Sequence, residues 1–219
     1  MGLITDISPQ KKDPKRVNIF LDGKFAFGIS LESKIVNHLK VREELTEKQI
    51  EKLIFDDQVE RLYDKALRFL SSRPRSEREI RNYLLQKLKL TDKGEEEKKN
   101  FDDSIDEVIK KLTKIDQVND LEFARWWVDQ RTRFKKASPR IIKSELFQKG
   151  IDKEIVTEVL ESSEIDPYEL AHEAAKKKLS SYQKLDQKTF REKMSRYLAS
   201  KGFDWEIIKK VIDTHLEKE

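Results

Sequence analysis

No set of side chains in this sequence has the spacing of a familiar reaction centre. His38, His172 and His215 are far apart, and none sits in an HxxH or HExxH arrangement that would put two metal ligands on one helix face. Cysteine is absent, so thiolate metal sites and disulfides are excluded. Gly23 reads as part of a tight turn, and Gly150 and Gly202 as helix ends; there is no P-loop and no GxGxxG. The numerous carboxylates fall mostly at helix caps and on helix surfaces, where capping and solvation explain them. We therefore expect no enzymatic activity, no cofactor and no bound metal.

The chemistry that remains is charge. Net charge is only +4, but its distribution alternates along the chain. Residues 68–89 carry net +5, residues 131–149 net +6 and residues 176–201 net +7. Between and before them, residues 42–64, 92–109 and 152–169 carry −4, −5 and −6. Recurring basic blocks of this kind suit a linear polyanion, because each neutralised phosphate releases counterions. They equally suit an acidic groove of a protein filament, or a solvated surface on which neighbouring segments attract each other. The candidate binding residues are Arg73, Arg75 and Arg78 in the first block, and Arg125, Arg131, Arg133, Lys135, Lys136, Arg140 and Lys143 around the second. Lys177, Lys184, Arg191 and Arg196 complete the set in the third. The densest group surrounds Ser138-Pro139, where the open N–H groups of a starting helix could also hold a phosphate.

These blocks lie on a repeated framework. IRNYLLQK (80–87), IKSELFQK (142–149) and MSRYLASK (194–201) share their apolar positions and a closing Lys, and in the last two a Gly follows. Next come IDKEIVTEV (151–159) and FDWEIIKKV (203–211); the counterpart FDDSIDEVI (101–109) is delayed by a polar insert at 89–100. An Ala-bearing amphipathic segment precedes each copy: ALRFL (66–70), ARWWV (124–128) and AKKKL (175–179). Each unit is thus three helices, with apolar residues at i, i+4 and i+8. The insert reads as an exposed loop or a frayed helix extension. Thr46–Gln49 and Ser76–Glu79 are capping boxes, and Ser138-Pro139 and Asp166-Pro167 read as caps followed by a first-turn proline.

The N-terminal region differs. Val17, Ile19 and Leu21 alternate with polar or aromatic neighbours up to Asp22-Gly23, a two-residue hairpin turn, after which Phe25 and Phe27 alternate on the return. Residues 3–7 are expected to add a third strand. The predicted fold is mainly α: tandem three-helix repeats in an elongated array behind a small β-hairpin region. The expected divisions are 1–61, 62–115 with the insert, 116–165 and 166–219. With 37% hydrophobic and 40% charged residues, small modules with thin cores fit better than one large globule.

Aligning Val128 with Leu70 and Leu179 sets Trp127 against Phe69 and Lys178, which places it in the core. Trp126 aligns with Arg68 and Lys177, so two readings stand: packing, or exposure to a partner or base. Trp205 is expected to pack between units.

The order and spacing of these helices, over residues 62–214, resemble the RecX family of regulators of the RecA recombinase. The hairpin VNIFLDGKFAFG (17–28) is similar to an extension of its longer members. Two departures are the 12-residue insert and Ser195 where the other copies carry Arg81 and Lys143. The resemblance implies a non-enzymatic protein of recombination, DNA repair and the SOS response. Its partner would be the RecA filament on single-stranded DNA, whose growth or strand exchange it would limit. From charge we add weak, salt-sensitive binding to single-stranded DNA. An autonomous DNA-binding protein is the rival reading. With no apolar run of membrane-spanning length and no visible secretory signal, a cytoplasmic monomer that does not engage membranes is expected.

Overall fold

The hairpin turn at Asp22-Gly23 forms as its residues require. Both take positive φ, 50° and 77°, the type I′ geometry that matches the twist of paired strands. The computed structural model describes residues 1–89, 97–182 and 185–216. They divide into two compact units: Met1–Arg73 with Ile80–Gln117, and Pro74–Glu79 with Val118–Glu219.

In the first unit, β1 (Gly2–Pro9), β2 (Arg16–Leu21), β3 (Lys24–Ser30) and β4 (Glu44–Leu45) form an antiparallel sheet in the order β3-β2-β1-β4. The short β4 was not visible as a strand in the sequence, being only two residues long. Ile4, Val17, Ile19, Phe27 and Ile29 are buried on one face. Phe25 departs from the expected alternation and is 60% exposed. A bulge explains it: Ile19 pairs with Phe27 but Phe20 with Phe25, so an unpaired residue reverses the sides.

Ser30 caps α1 (Leu31–Val36), and Thr46 with Gln49 forms the expected capping box of α2 (Glu47–Leu70). This 24-residue helix runs without a break through the expected division at 61/62. It is tied to the sheet by the buried Asp57, which accepts from Arg16 Nη1 and Nη2 at 3.0 and 2.8 Å and from the Ser30 backbone N–H at 3.0 Å. The rest of the unit is α3 (Glu77–Lys89) and α4 (Glu97–Lys114). Ile80, Leu84 and Leu88 are buried at the predicted i, i+4, i+8 spacing. Four insert residues, 97–100, belong to α4; residues 90–96 lie outside the described residues.

The second unit holds α5 (Asp120–Gln130), a π-turn (Arg131–Lys135), α6 (Pro139–Gln148), α7 (Lys153–Ser162), α8 (Pro167–Tyr182), α9 (Gln187–Ser200) and α10 (Trp205–Leu216). Two cores form, one from α5–α7 around Phe123, Ile142, Leu146 and Val156, one from α8–α10 around Ala174, Met194, Leu198 and Ile208. On α7 and α10 the buried stripe is rotated by one residue from expectation: Val156 and Ile208 are fully in, Ile155 and Ile207 only partly.

A recurring junction joins successive repeats. Ser76, the cap of α3, donates through Oγ to the Lys149 carbonyl at 2.8 Å; Ser138, the cap of α6, donates to the Gly202 carbonyl at the same distance. The acceptors stand beside the two helix-ending glycines, whose φ values are 82° and 80°. Glycine is needed there twice over, for the left-handed backbone and for closeness. A Cβ at Gly150 would lie 2.4 Å from Arg78 Cδ, and one at Gly202 would lie 2.5 Å from Ile141 Cγ1 and 2.6 Å from Ser138 Oγ. Gly202→Ala should therefore cost about 2–4 kcal/mol, from left-handed strain and overpacking together. Urea denaturation checks this; a loss below ~0.5 kcal/mol would mean the junction is looser than it looks.

Candidate functional site

The second basic block divides into two groups once the chain is folded. The first group surrounds Trp127. Its indole N–H donates to Glu145 Oε2 at 2.8 Å, and the same oxygen accepts from Arg131 Nε at 2.6 Å. The Arg131 guanidinium and the Lys149 ammonium each lie 4.2 Å from the Trp127 ring centre. Lys149 also bonds Glu79 at 2.7 Å, with both side chains largely covered. Arg131 is thus held by a ring and a carboxylate, which is structural use rather than availability. Lys136 is similar: its side chain is mostly covered and bonded to Glu173. That bond is the first cause holding the Glu173 carboxyl below its usual range.

The second group forms where α5 ends. Instead of an α-helical stop, Arg131–Lys135 makes a π-turn closed by Lys136 in the left-handed conformation, whose N–H bonds the Arg131 carbonyl. The wide turn leaves the last carbonyls of the helix without intrahelical partners, and ammonium groups take them. Lys177 Nζ bonds the Phe134 carbonyl at 3.4 Å, and Lys201 Nζ bonds the Lys135 carbonyl. Lys178 and Lys201 stand 5.6 and 5.3 Å from the Tyr197 ring. Burial, then the neighbouring charges of Lys177, Lys135 and Lys178, hold the Lys201 ammonium below its ordinary pKa. A neutral carbonyl satisfies one N–H and cancels no charge, so positive potential accumulates at this break.

The remaining candidates are placed as follows. Arg73 and Arg75 are half-buried; Arg78 is exposed, its stem lying over Gly150. Arg125 is exposed but bonded to Glu122 at 2.8 Å and reaches Glu158 at 3.5 Å. Arg133 pairs with Asp129 at 2.5 Å, Arg140 with Asp204 at 3.6 Å and Arg191 with Asp213 at 2.8 Å, all with substantial exposure. Lys135, Lys143, Lys177 and Arg196 are exposed. Lys184 lies outside the described residues. Trp126 is half-buried and packs on Phe123 and Trp127, with ring centres 5.9 Å away in each case. Trp205, expected to pack, is 63% exposed.

The N-terminus of α6 does not offer the open phosphate seat considered above. Ser138 is buried, caps the Ile141 N–H, and gives its own N–H to the Lys201 carbonyl at 2.9 Å. The fold instead draws in residues that sequence reasoning passed over: Phe134, 65% exposed on the π-turn, and Lys178 and Lys201 beside it. Lys201 had been read only as the closing Lys of the repeat. Among the described residues there is no group of three or more His, Asp or Glu that could hold a metal ion, and no helix is long and apolar enough to cross a membrane.

Comparison with known proteins accounts for the repeated architecture. Residues 2–46 match the N-terminal domain of the regulatory protein RecX, and residues 63–88, 119–160 and 164–212 match its first, second and third three-helix domains. Regulatory protein RecX of Listeria welshimeri is 36% identical over 207 residues, covering 94% of this chain and 73% of the relative. That of Bacillus velezensis is 34% identical, covering 97% and 77%. Among solved structures, a crystal structure of regulatory protein RecX aligns over 97% of this chain and all of that one, with TM-score 0.64 and 28% identity. RecX from Lactobacillus salivarius aligns over 73% of this chain and 97% of that one, with TM-score 0.55. With all four domains in order and identity above a third along nearly the whole chain, the protein belongs to the RecX family of regulatory proteins, which are not enzymes.

Proposed function

We propose that this chain regulates a RecA-type recombinase, chiefly by limiting it, through binding the recombinase filament on single-stranded DNA with a basic surface of its second unit. One observation carries the reading. Lys135, Lys177, Lys178 and Lys201 gather at the α5–α6 break, and among the described residues none of the four has a carboxylate at ion-pair distance. Uncompensated charge at one spot on a chain that is otherwise rich in ion pairs needs a reason, and an anionic partner supplies it. Family membership supports a regulatory role, and the repeats supply a framework on which further contacts can be set. The protein acts in this reading as a cytoplasmic monomer. Arg73, Arg78, Lys143 and Arg196 contribute outlying contacts.

The test is co-sedimentation with recombinase filaments, together with the filament's DNA-dependent ATPase and strand exchange. Wild-type protein should bind and lower both activities. Reversing Lys135, Lys177 and Lys178 to glutamate should abolish the effect while leaving the fold intact, since none holds a carboxylate partner. If three to four phosphates are neutralised, raising salt fourfold should weaken binding roughly 20–50-fold. Wild-type protein that leaves ATPase and strand exchange unchanged at saturation would end this reading.

A further inference from the structure

We propose that the π-turn between α5 and α6 is a seat for single-stranded nucleic acid, in which a base stacks on Phe134 and the adjoining phosphates lie against Lys135, Lys177, Lys178 and Lys201. The inference rests on the basic surface argued above and specifies what that surface holds.

Phe134 is the first observation. Phe27, Phe101, Phe123, Phe190 and Phe203 are buried, whereas Phe134 is 65% exposed and sits on a basic segment. An exposed phenyl ring is not explained by packing, and its face is of the kind on which unpaired bases stack.

The second observation is how firmly the ring's support is held. The Lys136 N–H and, at 3.2 Å, the Ala137 N–H both bond the Arg131 carbonyl. Lys177 and Lys201 fasten the Phe134 and Lys135 carbonyls, and the Ser138 N–H bonds Lys201 in return. Little ordering entropy is then lost when a ligand meets the turn. π-turns inside helices recur where function requires a helix to widen.

The third is the arrangement of charge. Lys177 and Lys201 attach to the carbonyls of residues 134 and 135, so their ammonium groups flank the ring's own backbone. Each retains donors beyond the one given to a carbonyl. Glu173, the nearby carboxylate, is already bonded to Lys136. A single strand presents phosphates and an open base face together. A duplex presents phosphates with its base faces stacked away, so it can use the lysines but not the ring.

The experiment uses the full chain and dye-labelled oligo-dT, an abasic strand of the same length and a duplex, followed by anisotropy. Phe134→Ala should weaken oligo-dT binding roughly 10-fold, the loss of one stacked base, and leave abasic-strand and duplex binding unchanged. Phe134→Trp should restore oligo-dT affinity, and its added emission should be quenched by oligo-dT and not by the abasic strand. An oligo-rU arm should show the same Phe134 dependence, since every base has a face. If Phe134→Ala binds oligo-dT as wild type does while the triple lysine reversal does not, the phosphates are held without a stacked base and this proposal falls, though the basic-surface reading survives. If Phe134→Ala instead loses binding to recombinase in the absence of DNA, with oligo-dT binding intact, the ring is a protein contact and the proposal is overturned. If the triple reversal alters no binding at all, the broader reading falls with it.

Discussion

Replacing Asp57 with alanine is expected to lower stability by about 3–5 kcal/mol, the range for removing one partner of a buried ion pair. Asp57 is the one carboxylate that joins the sheet to α2, and its side chain is 7% exposed. Both guanidinium nitrogens of Arg16 bond it, and it also accepts the Ser30 N–H just where β3 hands over to α1. Alanine would leave the largely covered Arg16 guanidinium with only its bond to the Gly28 carbonyl, and would strip Ser30 N–H of its acceptor. An unpaired charge away from water costs more than the pair contributed, so the loss exceeds that of an ordinary hydrogen bond. Asp57→Asn keeps an acceptor for Ser30 and should lose less. The measurement is the urea midpoint with its slope, which separates a stability change from a change in exposed surface. A loss under 1 kcal/mol for the alanine variant would show that Arg16 finds another carboxylate.

The second large effect separates Arg131 from its neighbour. Arg131→Glu should destabilise the protein by about 2–4 kcal/mol, while Arg133→Glu stays within about 0.5 kcal/mol. In sequence the two look alike, basic residues two apart in the same block. In the structure Arg131 is one-quarter exposed, bonded to Glu145 and stacked over Trp127; glutamate there would set two carboxylates against each other and leave the ring without that cation. Arg133 is well exposed on an i, i+4 pair with Asp129, an arrangement of small energetic weight. Thermal unfolding of the two variants, compared with their filament binding, would divide structural from functional charge. Comparable melting temperatures for both would contradict the division. The same logic governs Lys136, whose reversal would face Glu173, and so neither residue belongs in a charge-reversal test of function.

What could be read without a structure was whatever depends on local spacing. The hairpin turn, the Thr46 and Ser76 capping boxes, the Pro-led starts of α6 and α8 and the Gly150 and Gly202 stops follow from backbone preferences of a few adjacent residues. The three-helix repeat was legible because one apolar pattern recurs with its closing Lys. Periodicity alone could not locate the bulge that turns Phe25 outward, nor the one-residue rotation that buries Val156 ahead of Ile155, because neighbouring elements select which flank of an apolar stripe faces in.

Basic residues marked the second block as a candidate site, but charge in sequence carries no record of its partner. Glu145 lies 14 residues from Arg131 and Glu173 lies 37 from Lys136, and only folding puts each pair together. Folding also carries Lys177 and Lys201 to a turn 43 and 66 residues earlier, onto carbonyls that a regular helix end would have disposed differently. The sequence by itself therefore determined that this protein is a helical repeat with recurrent positive charge and no reaction centre. Which of those charges are tied up in the framework, and which converge beside an exposed ring, was decided by tertiary structure. The physical reason is that electrostatic availability depends on distances through space, which local spacing along the chain does not set.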